Sequence, residues 1–315
     1  MVKIRSLPLG IDIGRTRLRV AAAVRTTSGA TELVGVASRE APEEPEAASA
    51  VLDDLRRELG TRERRCVLSV PASAGVLKVV RFPKMSESER RSAARFESER
   101  IASWNSKDVA TVVRAHWVNV REGLVAIGVA REDALRARVS RARAAGLSVA
   151  GVDHDACAMR RAFPFADAVL DIGCESSSLH VFSASGPLSV AIAAGGSDVT
   201  AGICRDLGID STTAERRKRI LGTAGAGEAA RDALVARVAT AIHDVREQHP
   251  IRRLAMTGNG ARLPGLAESM EAAIGAMVDV PVSDLLRAAA YPDDVARCAA
   301  PDWTLAVSLA AWETP

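Results

Sequence analysis

Two short stretches of the chain end an apolar run with an aspartate that is followed two residues later by a glycine. They are Leu9-Gly-Ile-Asp-Ile-Gly14 and Val169-Leu-Asp-Ile-Gly173, and their aspartates stand 159 residues apart (171 − 12) in a chain of 315. A second apolar run follows each stretch, which predicts a β-hairpin. Glycine in such a turn lets phosphate oxygens approach the backbone, and an aspartate at the strand end can hold a hydrated Mg²⁺. Two facing hairpins would clamp one polyphosphate from both sides.

Chance repetition of three residues is an alternative explanation, because the chain contains 23 glycines. A third motif favours the clamp. The stretch Leu254-Ala-Met-Thr-Gly-Asn-Gly-Ala-Arg-Leu-Pro-Gly265 predicts a strand, a glycine-rich turn and the start of a helix. Such a turn can receive the ribose or a phosphate edge of a nucleotide. Together the three motifs indicate a nucleotide site between two halves of the chain.

The composition excludes several other classes of protein. Hydrophobic residues make up 48% of the chain, charged residues 26% and aromatic residues 3%, with a formal net charge of +3. Aromatic stacking on nucleic acid is therefore not expected, and the arginines alternate with glutamates as on solvated helix faces. Five cysteines without a C-x-x-C pair argue against a disulfide framework or zinc knuckle and favour a reducing cytosol. No signal peptide or membrane span is predicted, so membrane association would come only through a partner.

The motifs must be positioned by alternating strands and helices, which hydrophobic periodicity and turn residues predict. The predicted strands are 9–13, 18–24, 32–36, 66–70, 76–82, 109–120, 124–130, 149–152, 168–172, 178–183, 188–193 and 253–257. The predicted helices are 47–59, one after a capping box at 86–89, 132–145, one opening near 153, one near 198, 211–221, 228–249 and 303–312.

The β-α-β-β-α block at 76–147 predicts a small α+β unit inserted into the first domain. The chain would then return to that domain through the strand and helix that follow the block. We predict a first domain of 1–75 and 148–165 with 303–315 returning to it, the insert at 76–147, and a second domain of 166–302 that contains a subdomain at about 204–250.

Four further segments narrow the interpretation: Phe82-Pro-Lys-Met85, Ala93-Ala-Arg-Phe-Glu-Ser-Glu99, Gly195-Gly-Ser-Asp-Val-Thr200 and Ala214-Glu-Arg-Arg-Lys218. The three glycine motifs resemble the phosphate 1, phosphate 2 and adenosine motifs of the actin-like ATPases. With these segments, the chain resembles the PilM family of type IV pilus assembly proteins over about residues 8–312. The resemblance implies an α/β protein with the actin-like ATPase fold, made of two ribonuclease-H-like βαβ halves (1A and 2A/2B) and an inserted FtsA-type 1C-like α+β subdomain.

The resemblance also implies a ligand and its contacts. ATP with Mg²⁺ would lie between the hairpins, and Asp12 and Asp171 would hold the metal through water. The other nucleotide-binding positions would be Gly14, Arg15, Thr16 and Arg19 in the first hairpin, Gly173, Ser176 and Ser177 in the second, Gly195 and Gly196 on the cleft floor, Glu215 and Lys218 near the ribose or adenine, and Gly258, Asn259 and Gly260 against the adenosine.

The chain departs from the family pattern at several of these positions. Arg15 stands where the family has a small Ser or Thr, and it could either reach a γ-phosphate or crowd the pocket. Arg19 replaces the usual Lys, Phe96 replaces a Trp, and Gly258-Asn-Gly260 replaces Gly-Gly. These departures bear on nucleotide turnover more than on the fold.

Hydrolysis would need a group that orients water near the γ-phosphate. Asp153 and Asp155, in Val152-Asp-His-Asp155, are the candidates. The alternative is that these aspartates only cap a helix or place charge in its first turn. We expect at most weak ATPase activity.

The resemblance implies a protein partner as well. A groove between the first domain and the insert would receive the N-terminal cytoplasmic peptide of a PilN-like inner-membrane pilus protein, through apolar anchors and main-chain hydrogen bonds. Phe96, Ile101 and Trp104 are predicted to line it, and other pilus assembly proteins stay open as partners. The expected location is the cytoplasm, at the inner membrane only through the partner.

Other functions remain open. One is a degenerate structural subunit that binds no nucleotide, such as the cytoplasmic part of a GspL-like type II secretion protein. Arg15 leaves this alternative open, because its side chain could crowd the pocket. Another is a sugar or acetate kinase of the same superfamily, which would need a general-base Asp over a polar acceptor pocket that we do not find in the sequence. A third is filament formation like that of FtsA or MreB.

Overall fold

A computed structural model describes residues 5–42, 44–101, 104, 108–117, 122–183, 186–283 and 300–312. The end of the predicted strand 109–120, at residues 118–120, lies outside the described residues, as does Cys298. Within the described ranges, the strands form three sheets.

The first sheet is built around the hairpin that carries Asp12. Its strands are β1 (Arg5–Ser6), β2 (Leu9–Ile13), β3 (Arg17–Arg25), β4 (Thr31–Glu40), β5 (Arg65–Val70) and β9 (Ser148–His154). They follow the order β1-β3-β2-β5-β9, with β4 beside β3. Strand β2 pairs antiparallel with β3 and parallel with β5. Because helices cover both faces, β2 is an almost continuous buried apolar run, and Asp12 interrupts it one residue before the end.

The second sheet repeats this design around Asp171. Its strands are β10 (Ala168–Ile172), β11 (Ser177–Ser183), β12 (Gly186–Ile192), β13 (Arg253–Thr257) and β14 (Met277–Asp279), in the order β12-β11-β10-β13-β14. Strand β10 pairs antiparallel with β11 and parallel with β13. Its pattern of burial is the same as that of β2, so the two predicted hairpins are confirmed as structural equivalents.

The third sheet belongs to the predicted insert. It comprises β6 (Gly75–Pro83), β7 (Val109–Trp117) and β8 (Glu122–Arg131), in the order β6-β8-β7. Helix α2 (Glu87–Ile101) packs on this sheet, over a small core that includes Ala94 and Ile127. The predicted capping box is present, since the Glu89 N–H donates to Ser86 Oγ at 3.3 Å and the Ser86 N–H donates to Glu89 Oε2 at 2.8 Å.

The first sheet is covered by helices from three parts of the chain. Two of them, α1 (Pro45–Glu58) and α3 (Glu132–Ala144), lie side by side on one face, where Ala142 shares a core with Leu52 and Leu55. Helix α3 lies within the predicted insert 76–147, and its small apolar stripe packs on the first sheet. The division into domains remains a prediction.

The second sheet carries the helices α5 (Gly196–Leu207), α6 (Ser211–Leu221), α7 (Glu228–Arg246) and α8 (Leu266–Ile274). Val199 and Ile203 of α5 and Val238 of α7 are fully buried in one continuous core with the strands. Helix α4 (Asp155–Ala162) connects the two halves, because it follows β9 directly and precedes β10. Within the described residues, no helix is both long and apolar enough to cross a membrane.

The last helix, α9 (Thr304–Ala310), returns to the first half and packs on β2 and β3. Gly10 in β2 permits this close approach. A Cβ atom at Gly10 would lie 2.0 Å from the Ala306 carbonyl oxygen and 2.3 Å from the Ala310 nitrogen. The absence of a side chain therefore sets the distance between the C-terminal helix and the strand that carries Asp12.

Candidate nucleotide site between two hairpins

The two Asp-x-Gly turns have nearly identical backbone geometry. The Gly14 N–H donates to the Arg17 carbonyl at 3.0 Å, and the Gly173 N–H donates to the Ser176 carbonyl at 3.0 Å. A Cβ atom would lie 2.8 Å from the Arg17 oxygen in the first turn and 2.7 Å from the Ser176 oxygen in the second. Each turn therefore needs glycine for its close internal contact.

Each turn leaves backbone donors at its tip. Among the described residues, the amides of Arg15 and Thr16 in the first turn donate to no protein acceptor, and the same holds for Cys174 and Glu175 in the second. Unsatisfied amides in a turn suit an anion. The two tips therefore fit the predicted phosphate clamp in chemistry.

The turns face one another closely enough for their side chains to meet. Arg15 Nε lies 3.0 Å from Glu175 Oε1, and the two side chains are 73% and 60% exposed. This ion pair links residues from opposite halves of the chain. It places Arg15 at the mouth of the cleft, where the sequence predicted either a phosphate contact or an obstruction.

Arg19 is held beneath the first turn by two carboxylates. Its Nη1 lies 3.2 Å from Asp12 Oδ2 and its Nη2 lies 2.9 Å from Asp302 Oδ2, while the Arg19 side chain is 9% exposed. Asp302 also approaches Arg262 Nη1 at 3.4 Å. In this conformation Arg19 is the internal counterion of Asp12, and its predicted contact with the nucleotide remains a prediction.

Three aspartates from different elements share one electrostatic environment. Burial raises the pKa of Asp155 to about 8, with the charges of Asp171 and Asp12 adding to it and Arg138 opposing it. Burial also raises the pKa of Asp171 to about 7, reinforced by Asp12 and opposed by Arg19. The pKa of Asp12 is raised by burial in spite of Arg19. A cation brought between the halves would stabilise the ionised forms of these groups.

Asp153 lies in a different environment. Its Oδ2 is 2.6 Å from Arg161 Nη2, and its other oxygen accepts from the His154 N–H at 2.9 Å. The His154 ring caps α4 by accepting from the Ala156 N–H at 3.1 Å. Of the two aspartates predicted to position water, the structure brings only Asp155 into the cluster with Asp12 and Asp171. The catalytic role itself is untested.

Gly195 and Gly196 lie where the second turn docks on the start of α5. The Gly196 N–H donates to the Gly173 carbonyl at 3.0 Å, and the Ser197 N–H donates to the Cys174 carbonyl at 2.8 Å. The Gly195 N–H donates to Asp198 Oδ2 at 2.9 Å. Since these amides already have protein acceptors, the glycines hold the second turn in place; a direct nucleotide contact remains a prediction.

Glu215 and Lys218, predicted near the ribose or adenine, form a polar cluster over α5. Lys218 Nζ donates to the Gly196 carbonyl at 2.9 Å and to Thr200 Oγ1 at 2.7 Å, and it lies 2.6 Å from Glu215 Oε2. The pKa of Glu215 is lowered, because hydrogen bonds from Lys218 and Thr200 outweigh the effect of its burial. Glu215 is therefore ionised, and the hydrogen bonds hold both side chains beside the cleft glycines.

The adenosine motif packs directly on the end of β10. Gly258 has φ +81°, and a Cβ there would lie 2.3 Å from Asp171 Oδ1. A Cβ at Gly260 would lie 2.2 Å from the Ile172 side chain. Gly258, Asn259 and Gly260 thus close over the strand that carries Asp171 because two of the three have no side chain, and the 3₁₀ turn Asn259–Arg262 begins at this contact.

The serines of the second turn differ in availability. Ser176 is exposed, while the buried Ser177 donates its hydroxyl hydrogen to the Ala194 carbonyl at 2.7 Å. Among the described residues, no group of three or more His, Cys, Asp or Glu side chains is arranged to ligate a metal directly. The prediction that Asp12 and Asp171 hold Mg²⁺ through water is untested.

The predicted partner residues lie on the helix of the third sheet and just after it, and their contact with a peptide stays a prediction. Phe96 is 67% exposed on α2, whereas Ile101 and Trp104 pack against the core of the third sheet. A surface groove lies between α1 and α3, with a volume of about 820 Å³. It is lined by Ser49, Ala50, Asp53, Arg56, Arg57, Arg64, Ala137, Ser140, Arg141, Ala144, Ala145 and Gly146.

Glu175 and Asp302 also belong to the site, and neither was predicted from the sequence. A signal existed for Glu175, because the two turns carry opposite charges at their tips. No signal existed for Asp302, which lies 283 residues from its partner Arg19. Such pairings are set by how distant elements pack together.

The two sheets with equivalent hairpins, joined by a helix and accompanied by a third small sheet, define the class of protein: this is an actin-like ATPase fold. A family described as type IV pilus assembly protein PilM matches residues 10–311. The chain therefore belongs to the PilM family of type IV pilus assembly proteins, as the sequence predicted.

Solved structures agree with this fold. A PilM-PilN type IV pilus biogenesis complex is 24% identical, with 98% of each chain covered and a TM-score of 0.82. The ethanolamine utilization protein EutJ from Carboxydothermus hydrogenoformans is 14% identical, with 97% of this chain and 89% of that chain covered and a TM-score of 0.61. No curated protein sequence matches the chain.

Proposed function

We propose that this protein is a cytoplasmic ATP-binding scaffold of type IV pilus assembly, with Mg-ATP held between the two Asp-x-Gly hairpins. The observation that carries the proposal is the pair of equivalent turns, whose glycines donate to matching carbonyls at 3.0 Å and whose tips meet through Arg15 and Glu175. The cluster of Asp12, Asp155 and Asp171 supports it, because a nearby cation would stabilise the ionised forms of these buried carboxyls. Bound Mg²⁺ would supply that charge and neutralise phosphate oxygens.

Different residues of the chain would bind different parts of the nucleotide. The turn amides would donate to phosphate oxygens, while Glu215, Lys218 and the glycines of the adenosine motif would hold the nucleoside. Asp171 would act on both the phosphates and the nucleoside, because its charge interacts with that of Asp12 and its side chain lies against Gly258. The proposal requires binding and closure of the cleft, and it does not require rapid turnover.

A titration of a fluorescent ATP analogue with Mg²⁺ tests the nucleotide site. Wild-type protein should bind saturably, and Asp171→Ala should weaken binding at least about tenfold, since it removes a charged group that acts on the metal. Asp279→Ala, at the far edge of the same sheet and paired with Arg253 at 2.8 Å, is the matched control and should bind normally. Absence of binding by the wild type would overturn the proposal in favour of a scaffold without nucleotide.

We further propose that a PilN-like N-terminal peptide of an inner-membrane pilus protein binds in the groove between α1 and α3. Both walls of this groove pack on the first sheet, so its position differs from the predicted groove between the first domain and the insert. Arg141 lines this groove, and an arginine can donate to main-chain carbonyls and carboxylates of an extended peptide. The similarity to a PilM-PilN complex supports this partner. Such binding would bring the protein to the membrane.

A degenerate subunit of a GspL-like type II secretion complex stays the second candidate. The observation that favours it is the ion pair between Arg15 and Glu175, which engages the tips of both turns with protein side chains. A sugar or acetate kinase is the third. The nucleotide titration separates the first two functions, and phosphoryl transfer to a sugar or acetate would reveal the third.

A further inference from the structure

The ion pair between Arg15 and Glu175 has features that would let Arg15 exchange Glu175 for another anionic partner. Only the Nε of Arg15 is engaged by Glu175, at 3.0 Å, and the described residues provide no acceptor for its other guanidinium nitrogens. Both side chains are largely exposed, at 73% and 60%. An exposed pair of this kind contributes little to stability, so losing it costs the fold little.

The position of the pair determines which part of a nucleotide it would meet. The groups proposed to hold the nucleoside, Glu215, Lys218 and Gly258–Gly260, all belong to the second half of the chain. Arg15 belongs to the first. A nucleotide anchored through its base and ribose in the second half would extend its phosphate chain toward the first hairpin, so the terminal phosphate is the group nearest to Arg15.

The charges of Arg15 and Glu175 determine how each side chain would respond to a γ-phosphate. A γ-phosphate would attract the Arg15 guanidinium, which is a planar fork suited to two phosphate oxygens. It would repel the Glu175 carboxylate. ADP ends one phosphoryl group earlier, so Arg15 would keep Glu175 as its partner.

We infer that Arg15 selects nucleotides that carry a γ-phosphate, and that Glu175 limits this selection by competing for the same guanidinium. The inference rests on the proposed nucleotide site and goes beyond it, since binding alone requires no discrimination between ATP and ADP. The exchange would replace the ion pair between Arg15 and Glu175 with a contact from Arg15 to the γ-phosphate only when a triphosphate is bound. It would thereby make closure of the cleft depend on the state of the nucleotide.

Parallel titrations with fluorescent ATP and ADP, both with Mg²⁺, test the inference. Arg15→Ala should lower ATP affinity about tenfold and change ADP affinity less than about twofold, because it removes one charge-assisted contact. Glu175→Gln should raise ATP affinity about threefold by removing the competitor. Arg17→Ala is the matched control on the same hairpin, since Arg17 donates instead to Ser38 Oγ at 2.9 Å, and it should change neither affinity.

The outcomes distinguish this inference from the proposed site. If the wild type binds both nucleotides and Arg15→Ala weakens both equally, the site stands and selection by Arg15 is wrong. An Arg15→Ala variant that binds ATP more tightly would show that Arg15 obstructs the pocket, which also overturns the inference. If the wild type binds neither nucleotide, the proposed site and this inference fail together. Both side chains are exposed, so misfolding would not explain a loss.

Discussion

At the scale of single residues, Asp155 is a carboxyl whose charged form the fold disfavours. Its side chain is 4% exposed, one of its oxygens has no hydrogen-bond partner among the described residues, and its pKa is raised to about 8, chiefly by burial. In the unfolded chain the same group would ionise near 3.8. Between these values the folded protein holds a proton that the unfolded chain releases, so this group lowers stability as the pH rises.

Asp155→Asn should therefore stabilise the protein at high pH. The gain in the free energy of unfolding should be small near pH 4.5 and should grow to roughly 1–3 kcal/mol at pH 8, because asparagine removes the cost of the buried charge. Urea denaturation of both proteins across this pH range measures the difference.

Asp153→Asn is the control for that experiment, because it breaks the ion pair with Arg161 instead. It should lower the stability without the same growth with pH. A difference between Asp155→Asn and wild type that stays constant from pH 4.5 to 8 would show that Asp155 is ionised throughout, and would contradict the assignment.

At the scale of elements, the hairpins and the final helix fix the first phosphate turn. The predicted strands and helices were mostly confirmed, because period-two and period-3.6 patterns and glycine turns are local properties. The prediction that helix α3 belongs to the insert rested on sequence order alone, because α3 follows β8. In the structure α3 packs against α1 and the first sheet. Local patterns give the type of an element, and they do not give its neighbours.

Gly10→Ala should disrupt the contact between β2 and α9. The new methyl group would fall 2.0 Å from a backbone oxygen that cannot move alone, so we expect a loss of roughly 3 kcal/mol or more in the free energy of unfolding. Gly29→Ala, in an exposed turn at φ +83° with no atom near its Cβ, is the control and should cost about 1 kcal/mol. Thermal denaturation compares them. Equal losses would mean that α9 is not held against β2 as described.

At the scale of the whole molecule, the nucleotide cleft and the α1–α3 groove are separate sites on a shared first sheet. Helix α3 carries both Arg138, which acts electrostatically on Asp12 and Asp155, and several residues of the groove. A ligand that changes the charge around these aspartates thus acts on the element that lines the groove. We expect binding at the two sites to be coupled, and the coupling must be reciprocal.

A PilN-like peptide should accordingly bind more tightly in the presence of Mg-ATP, by about fivefold or more, as is typical of coupled sites. Ala137→Trp should fill the groove and weaken peptide binding about tenfold or more without changing ATP binding. Arg136→Trp, at the preceding position of α3 with a side chain 74% exposed, is the control for bulk. Equal peptide affinity with and without nucleotide would exclude the coupling, and tight binding by Ala137→Trp would place the peptide elsewhere.

The sequence by itself determined the two hairpins, the capped helix of the insert and the family, because turn glycines, caps and apolar periodicity act over a few neighbouring residues. Only the tertiary structure decided that Asp155 and not Asp153 joins Asp12 and Asp171, that Arg19 is shared with Asp302, and that Arg15 meets Glu175. Each of these pairings joins residues distant in the chain. Their partners are chosen by the packing of sheets and helices, since charge and hydrogen-bond geometry depend on distance in space and not on separation in sequence.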